Sequence, residues 1–207
     1  MPLRLRPNRK DDVATFSDRL AWVRWVRALL WACAVVCFGW VGGVSATSVL
    51  FDWQAREAFH SGSEGAPAAV GASYIPVVGI LEIPRLGFSE VVAEGDTESE
   101  LRVAIGHLPD TPLPWQPGNS ALAAHRDGRF RALKDVRVGD RLRLETHQGT
   151  LNYVLRETVI VEPDDVWVLN PTSNRTLTLI TCYPFEFIGP APKRFVITAE
   201  AVPEGER

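Results

Sequence analysis

The 207 residues carry 22 Lys and Arg against 25 Asp and Glu, a net charge of −3, and 46% of them are hydrophobic. No basic cluster alternates with aromatics and no Cys/His group has zinc-type spacing, which argues against a nucleic-acid surface and a structural zinc site. His60, His107, His125 and His147 are scattered singly along the chain.

Residues 28–51 run for 24 positions without a charge. At about 1.5 Å per residue, about 20 such residues cross the hydrocarbon core of a bilayer. The run is apolar on all sides rather than amphipathic, which predicts a transmembrane helix. Before it, seven basic side chains stand against three acidic ones, a balance of +4; the other 15 basic and 22 acidic residues leave −7. Positive flanks stay inside, so residues 1–27 are expected in the cytoplasm and the C-terminal part outside. Val44-Ser45-Ala46 is small enough for a signal-peptidase site. The apolar run exceeds the roughly 7–15 residues of a cleavable signal core, however, so an uncleaved signal-anchor is expected. Cys33 and Cys37 share one face of that helix and read as small packing residues.

Residues 52–73 are expected to form a linker. Asp52–His60 can extend the helix briefly, and the Gly, Ser, Pro and Ala of 61–73 bury little and favour a flexible tether. The folded domain is predicted over 74–202, with a tail at 203–207. Its signals are strand-like: Val77–Ile83 stopped by Pro84, then Phe88–Ala93, Asn119–Ala124 behind Pro117-Gly118, and Arg141–Glu145 in clean alternation. Thr150–Val161, Arg175–Thr181 and Arg194–Val202 follow. Short helices are predicted at Glu98–Ile105, Phe130–Leu133 and Pro163–Val168. Short alternating runs separated by turn residues predict an all-β fold, an antiparallel closed or nearly closed barrel.

Cys182 is the one cysteine outside the apolar segment. A lone thiol in a domain facing an oxidising compartment has no disulfide partner and is a candidate reactive group. The loop 183–193 holds Pro184, Gly189, Pro190 and Pro192, and Arg194 opens the next strand. If the two strands pair antiparallel, Cys182 and Arg194 meet at one edge. Alternation sets Arg194, Val196, Thr198 and Glu200 on one face and Phe195, Ile197, Ala199 and Ala201 on the other. Cys182 is in phase with Thr176 and Thr178 on the more polar side. A thiol attacks as thiolate, and at a free pKa of about 8.5 only a few per cent is ionised near neutrality. A neighbouring cation favours that form, and His125 can return a proton to a departing amine. Arginine stays charged, so its part is hydrogen bonding to a carbonyl or oxyanion.

These residues carry a family resemblance. Thr178-Leu179-Ile180-Thr181-Cys182 resembles the TLxTC signature of sortases, membrane-anchored cysteine transpeptidases of bacterial envelopes. Gly79–Pro84 looks like their opening strand, and Ala124-His125-Arg126-Asp127 fits their histidine motif, with Ala124 where many have glycine. Cys182-Tyr183-Pro184-Phe185 and Pro192-Lys193-Arg194-Phe195 resemble the class D-like branch. The resemblance implies that Cys182, His125 and Arg194 are catalytic, with Thr181 as a supporting residue for substrate or oxyanion. It further implies cleavage of an LPxTG-like sorting signal after Thr through a thioacyl intermediate. The acyl group would pass to an amine of a peptidoglycan precursor or of a surface-protein lysine. The chain would sit in the bacterial membrane by one span. No metal or cofactor is expected, since the acidic calcium site of some sortases has no clear counterpart here. Two other readings compete. An envelope L,D-transpeptidase keeps its histidine close before its cysteine, whereas 57 positions separate His125 from Cys182. A membrane-tethered β-domain that binds envelope peptides without catalysis would need no reactive thiol.

Overall fold

The structure is a computed structural model that describes residues 9–61, 68–70, 73–187 and 189–202. The expected tail, 203–207, and linker positions 62–67, 71 and 72 lie outside the described residues. The chain divides into two compact units, Met1–Ala46 and Thr47–Arg207.

The first unit lies on one helix, α1 (Arg9–His60). It turns large apolar side chains outward on all sides: Trp25, Trp31, Phe38 and Trp40 are all more than 70% exposed. Within Trp22–His60 the helix is long and apolar enough to cross a membrane, its 18-residue apolar window having a mean hydropathy of 1.9, and the expected span 28–51 lies within it. The helix does not stop at the predicted edge. Residues 52–60 remain helical and belong to the second unit, where Phe51 and Ala55 are fully buried with Ile75, Val77, Val91, Ala93, Val103 and Ala104. Part of the expected linker is therefore packed structure. A short hairpin, β1 (Ala68–Val70) against β2 (Ser73–Ile75), occupies more of it.

Eight further strands close a barrel. They are β3 (Val77–Ile83), β4 (Phe88–Glu94), β5 (Ile105–His107), β6 (Asn119–Ala123), β7 (Arg141–Thr146), β8 (Gly149–Val161), β9 (Thr176–Tyr183) and β10 (Lys193–Ala201). Around the barrel the order is β10-β8-β7-β3-β4-β5-β6-β9, with β9 pairing back onto β10. Period-2 patterning forms these strands. In β7, Leu142 and Leu144 are buried while Arg141 and Arg143 face solvent. The inner faces gather Leu81, Ile83, Val92, Ile105, Leu122, Leu144, Leu155, Leu177, Leu179 and Ile197 into one core. β3 is irregular against β4 between Val77 and Gly79, and on its other side β7 runs so close that a Cβ at Gly79 would strike the carbonyl oxygen of Glu145.

The all-β barrel agrees with expectation, with a difference in pairing. Six junctions are antiparallel, but β4–β5 and β6–β9 run parallel. The parallel partners are joined through crossovers, which local alternation does not encode. The predicted helix Glu98–Ile105 is shorter, α2 (Glu98–Leu101), entered where the Thr97 amide donates to Glu100 Oε2 at 2.9 Å. Val103, Ala104 and Ile105 are buried, and Ile105 instead begins β5. The other predicted helices are 3₁₀ turns at Arg129–Asp135 and Val166–Leu169.

Candidate active site

Strand β9 lies between β6 and β10, and its register positions the site. Across β9–β10, Cys182 is directly opposite Arg194, Ile180 opposite Val196 and Thr178 opposite Thr198. Directly opposed residues share a face. The alternate residues Leu177 and Leu179, with Ile197 and Ala199, belong to the core. Cys182 and Arg194 therefore stand on the outer face. On the other side, β6 runs parallel to β9, with Ala121 beside Thr178 and Ala123 beside Ile180. The Ala124 amide still donates to the Ile180 carbonyl at 3.3 Å, so the chain stays alongside β9 for one residue beyond the strand. His125 follows one residue later, just beyond the end of β6. Cys182 and Arg194 are thus directly opposed, and the chain that leads to His125 leaves β6 alongside the end of β9.

None of the three is sealed in the core: Cys182 and Arg194 are half-buried, and the His125 side chain is 40% exposed. Cys182 is a free thiol. His125 Nε2 lies 3.7 Å from Glu98 Oε2. Arg194 Nη1 donates to the carbonyls of Ala191 and Lys193 at 3.3 and 3.1 Å, which turns the guanidinium towards its own loop. Lys193, the neighbouring cation, opposes Tyr183 and pairs with Glu162 at 3.3 Å. Arg194 rather than Lys193 therefore stands opposite Cys182.

Thr181 has a different place from the one expected. It opposes Phe195 on the inner face, is 3% exposed, and donates its hydroxyl to the Ala124 carbonyl at 2.7 Å. That proton is committed to the backbone just before His125. Thr181 ties the histidine strand to the cysteine strand and offers no donor to an oxyanion.

Two supporting residues escaped sequence reasoning. Arg126, next to His125, is only 9% exposed. Its guanidinium donates to the carbonyls of Pro184 at 2.9 Å, Phe187 at 2.7 Å and Gly189 at 2.9 Å, all in the loop after Cys182. Asn119, buried at the start of β6, accepts from the Thr178 hydroxyl at 2.6 Å. Its amide donates to the carbonyls of Val168 and Asn170 at 3.0 and 3.3 Å, pinning the segment between β8 and β9. The signal for both was a polar side chain inside or beside an apolar run. Their partners are backbone carbonyls, which any sequence supplies. Among the described residues, no group of three or more His, Cys, Asp or Glu side chains gathers as a metal site.

The barrel sets Cys182 opposite Arg194 at the ends of two adjacent strands, with His125 just past the end of β6. The family model described as Sortase domain matches residues 81–202, and the chain belongs to the sortase family. It is 37% identical over 125 residues to Sortase D of Bacillus subtilis (strain 168), covering 60% of this chain and 63% of that one. It is 29% identical over 129 residues to Sortase A of Listeria monocytogenes, covering 60% and 56%. The matches thus span less than two thirds of either relative. Among solved structures, it is similar to a Clostridium perfringens Sortase D5 transpeptidase, with a TM-score of 0.62 at 24% identity, covering 76% of this chain and 99% of that one. That likeness concerns the fold. Streptococcus agalactiae sortase C1, solved with MTSET, has a TM-score of 0.58 at 28% identity, covering 63% and 72%.

Proposed function

We propose that the protein is a membrane-anchored cysteine transpeptidase, with Cys182, His125 and Arg194 as its catalytic residues. The observation that carries this reading is the direct opposition of Cys182 and Arg194 across β9–β10, with His125 two residues past Ala123, the β6 partner of Ile180. Cys182 Sγ attacks the backbone carbonyl carbon of Thr in an LPxTG-like sorting signal. The amide C–N bond breaks, a thioester forms, and His125 gives a proton to the departing amine. An amine of a peptidoglycan precursor, or of a lysine on another surface protein, then attacks the thioester. His125 takes its proton and the thiol is released. Arg194 hydrogen-bonds the substrate carbonyl as charge develops on its oxygen. The apolar stretch from Trp22 supports a single membrane span, with the barrel on the outer side as the charge balance indicates.

The test uses the full chain in detergent micelles, LPxTG-like peptides and mass spectrometry. A thioacyl adduct on Cys182 that disappears on adding an amine is the expected result, and Cys182→Ala abolishes it while circular dichroism stays unchanged. Cleavage retained by Cys182→Ala would overturn the scheme. A Cys182 that forms no adduct and resists a small thiosulfonate would favour a peptide-binding domain without catalysis.

A further inference from the structure

The loop between β9 and β10 carries Pro184, Gly189, Pro190 and Pro192. Outside the turn at Phe185 and Glu186, the described part of this loop belongs to neither strand. A segment without a backbone ladder gets its shape from side chains. Three sets of contacts supply it. Tyr183, Phe185 and Phe195 form an aromatic group, with Phe185 and Phe195 centroids 5.3 Å apart. Glu186, 73% exposed, lies 3.8 Å from both Arg131 and Lys134, a loose surface pairing. Arg126 is the strongest of the three, with one buried guanidinium holding three loop carbonyls and lying 5.7 Å from the Phe187 ring centre.

The pairing is informative because it is not a salt bridge. Among the described residues no carboxylate pairs with Arg126, so its buried charge is solvated by loop backbone alone. Each carbonyl it holds would otherwise have to find water or another donor. The guanidinium fork fits three acceptors in a way an ammonium does not. Arg126 is also covalently next to His125, while the loop it grips begins directly after Cys182 and Tyr183. The same contact therefore fixes the histidine's chain to the wall beside the thiol.

We infer that Arg126 is a positioning residue that latches the 184–189 stretch to the histidine segment and so holds the peptide groove beside Cys182 in its binding shape. The latch stands on the geometry alone; its effect on substrate rests on the transpeptidase reading above. The full chain in micelles is compared as wild type, Arg126→Lys and Arg126→Met. Endoproteinase Glu-C, with cut sites located by mass spectrometry, should cleave after Glu186 at least about tenfold faster in Arg126→Met, with Arg126→Lys in between. For an LPxTG-like peptide, KM should rise about tenfold while kcat changes less, and labelling of Cys182 by a small thiosulfonate should keep its rate. Equal cleavage after Glu186 in all three proteins would overturn the latch, as would kcat falling at unchanged KM for its effect on substrate. If Arg126→Met fails to fold, Arg126→Lys carries the comparison. If the wild-type protein cleaves no such peptide, the reaction is wrong, and the proteolysis still decides the latch.

Discussion

Thr181 and Arg126 tie the segment that carries His125 to the strand and loop that carry Cys182. The Thr181 hydroxyl reaches the Ala124 carbonyl from inside the barrel, while Cys182, one residue on, faces outward. Thr181→Val keeps the shape of the side chain but strands that carbonyl, a cost of about 1–3 kcal/mol. The expected result is a lower thermal midpoint together with slower peptide cleavage, and Thr181→Ser should restore both. If Val matched wild type in activity, the link from Thr181 to His125 would be of no consequence. The pairing of Cys182 with Arg194 was legible in the sequence because both sit at the ends of alternating strands joined by a proline-rich loop. The role of Thr181 was not, since a threonine before a cysteine reads the same whether its hydroxyl faces solvent or the neighbouring chain.

Among the elements, the turn after β3 shows how the rim is fastened. Arg85, in the 3₁₀ turn Pro84–Leu86, donates from Nε to Asp140 Oδ1 at 2.5 Å and from Nη2 to Oδ2 at 2.6 Å. Asp140 also accepts from the Arg137 amide at 2.8 Å, closing the turn that leads into β7. The hydrogen bonds from Arg85 hold the Asp140 carboxyl below its ordinary range, against burial, which pushes the other way. A depressed folded pKa gives stability that is present above the unfolded value of about 3.9 and is lost as pH falls through the folded one. Asp140→Asn should therefore lower the thermal midpoint at pH 7, and its difference from wild type should shrink as pH falls below about 4. A difference constant from pH 7 to pH 2 would refute this assignment. Most strands could be placed from alternation, but β5 could not. Three residues, Ile105 to His107, are too few to show a period, and their partners at Val92 and Ala123 lie far along the chain.

For the molecule as a whole, the compact C-terminal unit begins at Thr47 and takes in the end of the long helix. Phe51 is 1% exposed, Ala55 is 0% exposed, and Arg56 donates to the Ser89 carbonyl at 2.8 Å. An apolar run reads alike whether lipid or protein covers it, so this boundary could not be read from composition. Phe51→Ala should cost about 3–5 kcal/mol in thermal unfolding of the full chain. A chain starting at Ala72 should melt well below one starting at Thr47. Equal midpoints would mean that the helix end adds nothing to the barrel.

The closure of the sheet also constrains how any extended peptide is read. β9 is paired on one side by β10 and on the other by β6, and beyond Ala123 only the last residues of β9 stay open on that side. A visiting chain therefore finds little free edge on β9 to join as an added strand, the mode in which main-chain hydrogen bonds supply the affinity. On the proposed transpeptidase reading, discrimination among peptides then falls to side chains and loop carbonyls around Cys182. Relatives with the same barrel can diverge in what they accept by altering only the loops at its rim.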